Sequence, residues 1–169
     1  MDTKYVIKSL DKNLKVFLSL LNGVKKEEYL FKPDTEHWCL LEIICHLVDE
    51  EREDFRIRLQ TVLEAPFKHP PIIDPEGWVM SRKYLDQNFK EKIKAFRKER
   101  KASIQYLSTL ENPKWTHYYE HPILGNLDGH HFLRNWLAHD YLHIRQITRV
   151  RYRYLQYMTA SDCSYAGNW

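Results

Sequence analysis

Proline and glycine are placed so that they cut this chain into long unbroken stretches. There are seven prolines and five glycines in 169 residues, and the prolines sit only at Pro33, from Pro66 to Pro75, at Pro113 and at Pro122. A proline inside a helix removes a backbone hydrogen bond, so the long intervals between these clusters favour helices over strands. Within them the apolar residues recur at helical spacing. Val6, Leu10, Leu14, Phe17 and Leu21 predict a first helix from about Thr3 to Leu21, ended by Asn22-Gly23. Leu41, Cys45, Val48, Phe55, Leu59 and Val62 predict a second from Cys39 to Leu63, stopped by Pro66. A third is expected from Val79 to Leu110, with Phe89, Ile93, Phe96, Leu107 and Leu110 on its inner side. After an irregular stretch from Asn112 to Leu127, Asp128 is a suitable cap for a fourth. Its stripe is Phe132, Trp136, His139, His143, Ile147, Val150 and Tyr154.

Four amphipathic helices of this length imply an all-α fold, a four-helix bundle forming a single domain over residues 1–169. The segment from Ala65 to Gly77 holds four prolines and one glycine, so it reads as a long crossover between helices two and three. It is also a candidate roof for a pocket, with Trp78 and Tyr84 at its mouth. Residues Thr159 to Trp169 are polar and depend for order on docking of Tyr165 or Trp169.

Composition narrows the function classes. Twenty-six basic residues against 23 acidic ones give a net charge of only +3, which lends no support to nucleic-acid binding. Arg145, Arg149, Arg151 and Arg153, interleaved with Tyr152 and Tyr154, are the local exception and are read as a solvated helix end. Cys39, Cys45 and Cys163 form neither a disulfide framework nor a C-x-x-C metal site. No apolar run reaches the length of a membrane span, and Lys4, Lys8, Asp11, Lys12 and Lys15 break up any secretory signal. The expectations are a cytoplasmic location, no membrane or nucleic-acid partner, a small-molecule substrate, and a homodimer as an open alternative to a monomer.

His139 and His143 lie one turn apart, so their imidazoles can converge on one ion. A buried histidine is often an ordinary core residue with hydrogen-bonded nitrogens. Two on one apolar stripe each need a polar partner, however, and a shared metal supplies both at once. The remaining candidates for a third ligand are His37, His46, His69, His117, His121, His130 and His131. Of these, His46 alone lies well inside an expected amphipathic helix, which makes it the choice.

The stretches His37-Trp38-Cys39-Leu40-Leu41-Glu42-Ile43-Ile44-Cys45-His46-Leu47 and Trp136 to Ile147, which carries His139-Asp140-Tyr141-Leu142-His143, resemble the DinB-like superfamily of metalloenzymes. The likeness extends over Phe96 to Arg100 and Pro122 to Gly125, nearly the whole chain. It implies a four-helix bundle in which a histidine of helix two joins an H-x-x-x-H pair of helix four around a divalent metal, at positions matching His46, His139 and His143. The family commonly has a serine where Cys39 stands before Glu42, so the start of helix two is expected to be weakly capped.

Three neutral ligands leave a divalent ion, Zn or Ni, with its full charge and an open position, the arrangement of a catalytic rather than a structural site. Relatives that join a low-molecular-weight thiol to an electrophile imply a thiol S-transferase-like activity with a small thiol as cosubstrate. The alternatives are a metal-dependent hydrolase and a non-catalytic metal- or ligand-binding module. Asp49 and Glu50, three and four residues after His46, are candidate catalytic acids or bases, or else solvated surface acids paired with Arg52, Arg56 or a neighbouring helix. Asp140 and Gln146 are candidates to orient the ligand nitrogens, although Asp140 could equally face solvent.

Overall fold

Asp2 opens α1 (Thr3–Leu21) by accepting the Tyr5 N–H at 3.0 Å, and the expected stripe from Val6 to Leu21 is buried. The computed structural model describes residues 1–66 and 68–167. A single short turn, α2 (Lys26–Tyr29), leads towards α3 (Leu40–Asp49). The start of α3 does not fray as its cysteine cap suggests. Glu42 accepts the Cys39 N–H at 2.9 Å through one carboxylate oxygen and binds Lys32 Nζ at 2.7 Å through the other, while Cys39 itself is fully buried.

The second long helix departs from the expectation in its middle. Between α3 and α4 (Arg56–Glu64), residues Glu50–Phe55 form a π-helix. Its bonds span five residues instead of four, so it takes up surplus chain and re-aims the helical turns beyond it. An extra residue would otherwise turn the next face by about 100°. Here it lets Glu50, Glu51, Asp54 and Phe55 all be buried.

Beyond Glu64 the chain runs without helix or strand as far as Gly77 among its described residues, the crossover that the prolines imply. The third helix starts later than Val79. Trp78–Ser81 form one turn, α5, which ends where Lys83 takes a left-handed conformation (φ 49°), and a 3₁₀ turn over Tyr84–Asp86 follows. Asn88 then accepts the Glu91 N–H at 3.1 Å and caps α6 (Phe89–Thr109). The stretch before the last helix is likewise not wholly irregular. β1 (Tyr118–His121) and β2 (Gly125–Asp128) pair antiparallel, with Tyr118 opposite Asp128 and His121 opposite Gly125. His121 Nδ1 accepts the Ile123 and Leu124 N–H groups, each at 3.1 Å, and Gly125 supplies a positive φ of 72°.

Asp128 caps α7 (Gly129–Thr159) as expected, accepting the His131 N–H at 2.6 Å. Gly129 is required by close approach: a Cβ there would lie 2.9 Å from Leu63 Cδ2 and 3.1 Å from the Trp115 carbonyl oxygen. At the other end Ala160 is left-handed and stops the helix. Tyr165 is fully exposed and does not dock; Trp169 lies outside the described residues.

α1 packs against α6 and α7, α3 packs against the same two helices, and α4 packs against α7. The buried residues form two clusters. One holds Phe17, Ile43, Ile44, Val48, Phe96, Ile147 and Val150; the other holds Leu10, Phe55, Leu59, Leu107, Leu133 and Trp136. On the later three long helices, the passage from one cluster to the other coincides with polar residues turned inward: Glu51, Arg100, and His139, Asp140 and His143. No helix among the described residues is long and apolar enough to cross a membrane.

Candidate metal centre

α3 brings His46 to the same point as His139 and His143 of α7. His139 Nε2 lies 3.3 Å from His46 Nε2 and 3.0 Å from His143 Nε2, and the three donor atoms are all within 4.8 Å of one another. A tetrahedral ion with ligand bonds of 2.0–2.1 Å has nitrogen–nitrogen edges of about 3.3 Å, so the two closest separations have the right size. The hydrogen-bond count points the same way. A ring nitrogen carries either one hydrogen or one lone pair, so His139 Nε2 can satisfy only one of its two neighbours. One ion between the rings would satisfy all three.

The surroundings keep the imidazoles neutral, which is the form that ligates. Burial pulls His46 down to about 3, reinforced by His143, and His139 to about 2, reinforced by His143, His46 and the Arg100 charge. Burial also lowers His143. Gln146 Oε1 accepts from His143 Nδ1 at 2.7 Å, which leaves the Nε2 lone pair free to face the other two rings. His46 is walled by Trp38, with ring centres 4.9 Å apart, and His139 by Phe55 at 5.0 Å. Gln146 is thus bonded to the His143 ring.

Asp140 is neither solvent-facing nor bonded to a ligand ring among the described residues. It is completely buried and takes both terminal nitrogens of Arg100, at 2.7 and 2.8 Å, together with Asn13 Nδ2 at 3.1 Å. Arg100 Nε turns to Glu51 at 2.8 Å, and the second Glu51 oxygen accepts the Trp136 indole N–H at 3.0 Å. This buried ion triad ties four helices together beside the histidines. Sequence reasoning missed it, although Arg100 falls four residues after Phe96 and seven before Leu107, on the inner stripe of α6.

Asp49 and Glu50 are both buried rather than solvated, and neither is bonded to the histidines among the described residues. Asp49 accepts from Arg52 at 3.0 Å, from Arg82 at 2.9 Å and from the Tyr84 hydroxyl at 2.9 Å. Glu50 keeps one oxygen without a partner, and burial together with the adjacent Asp54 pushes its carboxyl up to about 9. The crossover meets the hairpin around a hollow of about 480 Å³ lined by Pro66, Lys68, His69 and Tyr119, and none of the three clustered histidines lines it. Trp78 and Tyr84 are packed inside, with the Arg82 guanidinium 4.1 Å above the Trp78 ring.

Comparison with known proteins agrees with this architecture. Among solved structures, YfiT from Bacillus subtilis, described as a probable metal-dependent hydrolase with an unusual four-helix bundle topology, superposes with a TM-score of 0.78 at 14% identity. The match covers 95% of this chain and 89% of that one, and it establishes a shared fold. No curated protein matches the chain in sequence. The family model of the DinB superfamily matches residues 9–147, a span that runs from α1 into α7 and takes in all three clustered histidines; this chain belongs to that superfamily.

Proposed function

We propose that the protein is a divalent-metal-dependent hydrolase of small molecules whose ion, Zn or Ni, is held by His46, His139 and His143. The observation that carries this reading is the convergence of three imidazole nitrogens, the two closest separations of which suit one ion, around His139 Nε2, which can hydrogen-bond only one of its two neighbours. The description of YfiT as a probable metal-dependent hydrolase supports the same class of chemistry. Once bound, a divalent ion would supply Lewis acidity, lowering the pKa of water from 15.7 towards about 7 or favouring the thiolate of a small thiol.

The chain's own residues supply the rest. Gln146 fixes the tautomer and angle of His143, while Trp38 and Phe55 keep water from the flanks of His46 and His139. Of the two acids, Glu50 is the one we assign to proton delivery, because burial beside Asp54 raises the pKa of its carboxyl and one of its oxygens is unpartnered. Both Asp49 oxygens are occupied, which suits it to hold α3 against the Tyr84 segment instead. Three free cysteines accord with a reducing, cytoplasmic setting.

The test begins with metal content measured on protein purified without a histidine tag. Activated esters and amides are then offered to the metal-loaded protein and to His46→Ala, with a parallel arm of small thiols and an electrophile. Metal-dependent hydrolysis lost in the variant is the expected result. Thiol consumption without hydrolysis would replace water by thiol as the nucleophile, and absence of bound metal would end the proposal.

A further inference from the structure

Six of the eleven arginines, Arg52, Arg56, Arg58, Arg82, Arg100 and Arg151, each meet a carboxylate. Arg97, Arg134, Arg145, Arg149 and Arg153 have no carboxylate partner among the described residues, and three of these five are gathered in one place. Arg145, Arg149 and Arg153 stand four residues apart along one exposed face of α7, where Arg153 bonds only to Gln156 and the other two have no hydrogen bond or ion pair among the described residues. Their face borders a groove between α7 and the segment of residues 31–38. One hollow of about 710 Å³ is lined by Phe31, Trp38, Arg149, Arg153 and Tyr157. A second, of about 600 Å³, is lined by His143, Arg145 and Arg149, and contains no acidic residue. His37, Gln146 and Arg149 are common to the two, so they form one continuous feature.

This groove reaches the histidine cluster at three points. His143 is part of its wall; Gln146, which holds His143 Nδ1, is part of its floor; and Trp38, which packs on His46, closes one side. Arg149 lies six residues beyond His143, about 9 Å along the helix axis. Both volumes fall within the roughly 300–1,000 Å³ typical of small-molecule sites. Asp34 on the opposite wall is already engaged by His37 at 2.6 Å. The result is a concave site with aromatic sides, unpaired guanidinium groups and one end at the cluster.

We propose that the groove selects a small substrate bearing a carboxylate or phosphate group, which Arg149, flanked by Arg145 and Arg153, holds while the other end of the molecule reaches the histidine centre. Guanidinium suits this task because its planar fork can donate two parallel hydrogen bonds to either anion. A nucleic-acid backbone is the less favoured occupant, because the groove is concave, carries Asp34 and Glu36 beside it, and the net charge of the chain is only +3. The inference rests on the metal reading of the centre, and its test keeps the two separable.

Metal content is measured on wild type, Arg149→Gln and His46→Ala. Succinate, its neutral diamide and inorganic phosphate are then titrated into each protein by calorimetry, in metal-loaded and chelator-treated forms. The expected result is that one or both anions bind wild type, the diamide does not, and Arg149→Gln binds at least tenfold more weakly at unchanged metal content. The stronger of the two anions identifies the group recognised. Equal binding by Arg149→Gln, equal binding of the diamide, or anion binding lost only in His46→Ala would overturn the proposal. So would duplex DNA binding that is stronger than that of either anion and lost in Arg149→Gln. A protein that takes up no metal but whose anion binding still depends on Arg149 would overturn the metal reading and leave the groove assignment standing.

Discussion

Replacing Arg100 with methionine removes the centre of the buried ion triad while keeping an unbranched side chain in its place. Arg100 is 1% exposed, and the change deletes bonds of 2.8 Å to Glu51 and of 2.7 and 2.8 Å to Asp140. Two buried carboxylates then face a thioether. Breaking a buried pair by removing one partner costs about 3–5 kcal/mol, because the stranded charge has lost its water as well as its counter-ion. For a domain of this size each kcal/mol lowers the melting temperature by about 2–4 °C, so a fall of about 6–20 °C is expected. Lys94→Ala, which breaks a pair exposed on both sides, should change stability by no more than about 1 kcal/mol. Urea and thermal unfolding by circular dichroism, with metal removed from all samples, give the comparison. Adding Glu51→Gln and Asp140→Asn to Arg100→Met should recover much of the loss, since amide oxygens can still accept from Trp136 and Asn13. An Arg100→Met protein within about 1 kcal/mol of wild type, or a triple variant no better than the single one, would refute the reasoning.

His139→Ala and His143→Ala should each abolish stoichiometric metal, whereas His121→Ala should retain it because that ring serves the hairpin turn; plasma emission on dialysed protein decides the matter. Gln146→Leu should weaken metal affinity by about 10–100-fold without abolishing it, as loss of a partner that orients a ligand ring does elsewhere; competition with a metal indicator reads the change. Metal-free protein should keep its helical circular dichroism, since neither apolar cluster includes any of the three histidines. Its stability should nevertheless fall on acidification. His46 and His139 are pulled to about 3 and about 2 from an ordinary 6.5, so between those values the unfolded chain binds protons that the fold refuses. Stability from this source is complete above about pH 6.5 and is lost as the pH drops, by up to about 1.4 kcal/mol per pH unit for each histidine. A His139→Phe variant whose unfolding shows the same acid slope as wild type would count against it.

What could be read from the sequence is what leaves a periodic trace. The stripes from Val6 to Leu21 and from Phe132 to Tyr154 are regular enough to reveal α1, α7 and the inward pair of histidines. The π-helix left no such trace, because Glu50 to Asp54 is a run of charged residues whose burial depends on partners in other helices. The start of α6 was marked by Asn88 followed by Glu91, a recognisable cap signature, but Val79 lay close enough to extend the apparent helix across the left-handed Lys83. The hairpin was hidden because its strands are short, mostly polar and joined through Pro122. Asp140 was misplaced for a different reason: that a charge can lie on an inner stripe is visible in one helix, but its counter-ion is visible only when Arg100 arrives from another.

The π-helical segment also bears on how this chain tolerates changes in length. Between Glu50 and Phe55 the backbone is one place where the polypeptide carries more residues than an α-helix would need to cover the same distance. Deleting a single residue there would let the wide turn relax into a regular helix, a change that ordinarily favours the backbone. The cost would fall on alignment. His46 and the residues before it would keep their positions, while Phe55, which flanks His139, would be carried out of phase with α7. A shortened chain of this kind would have a more regular backbone and a poorly assembled centre, so the surplus residue belongs to the inheritance of the site rather than to that of the fold.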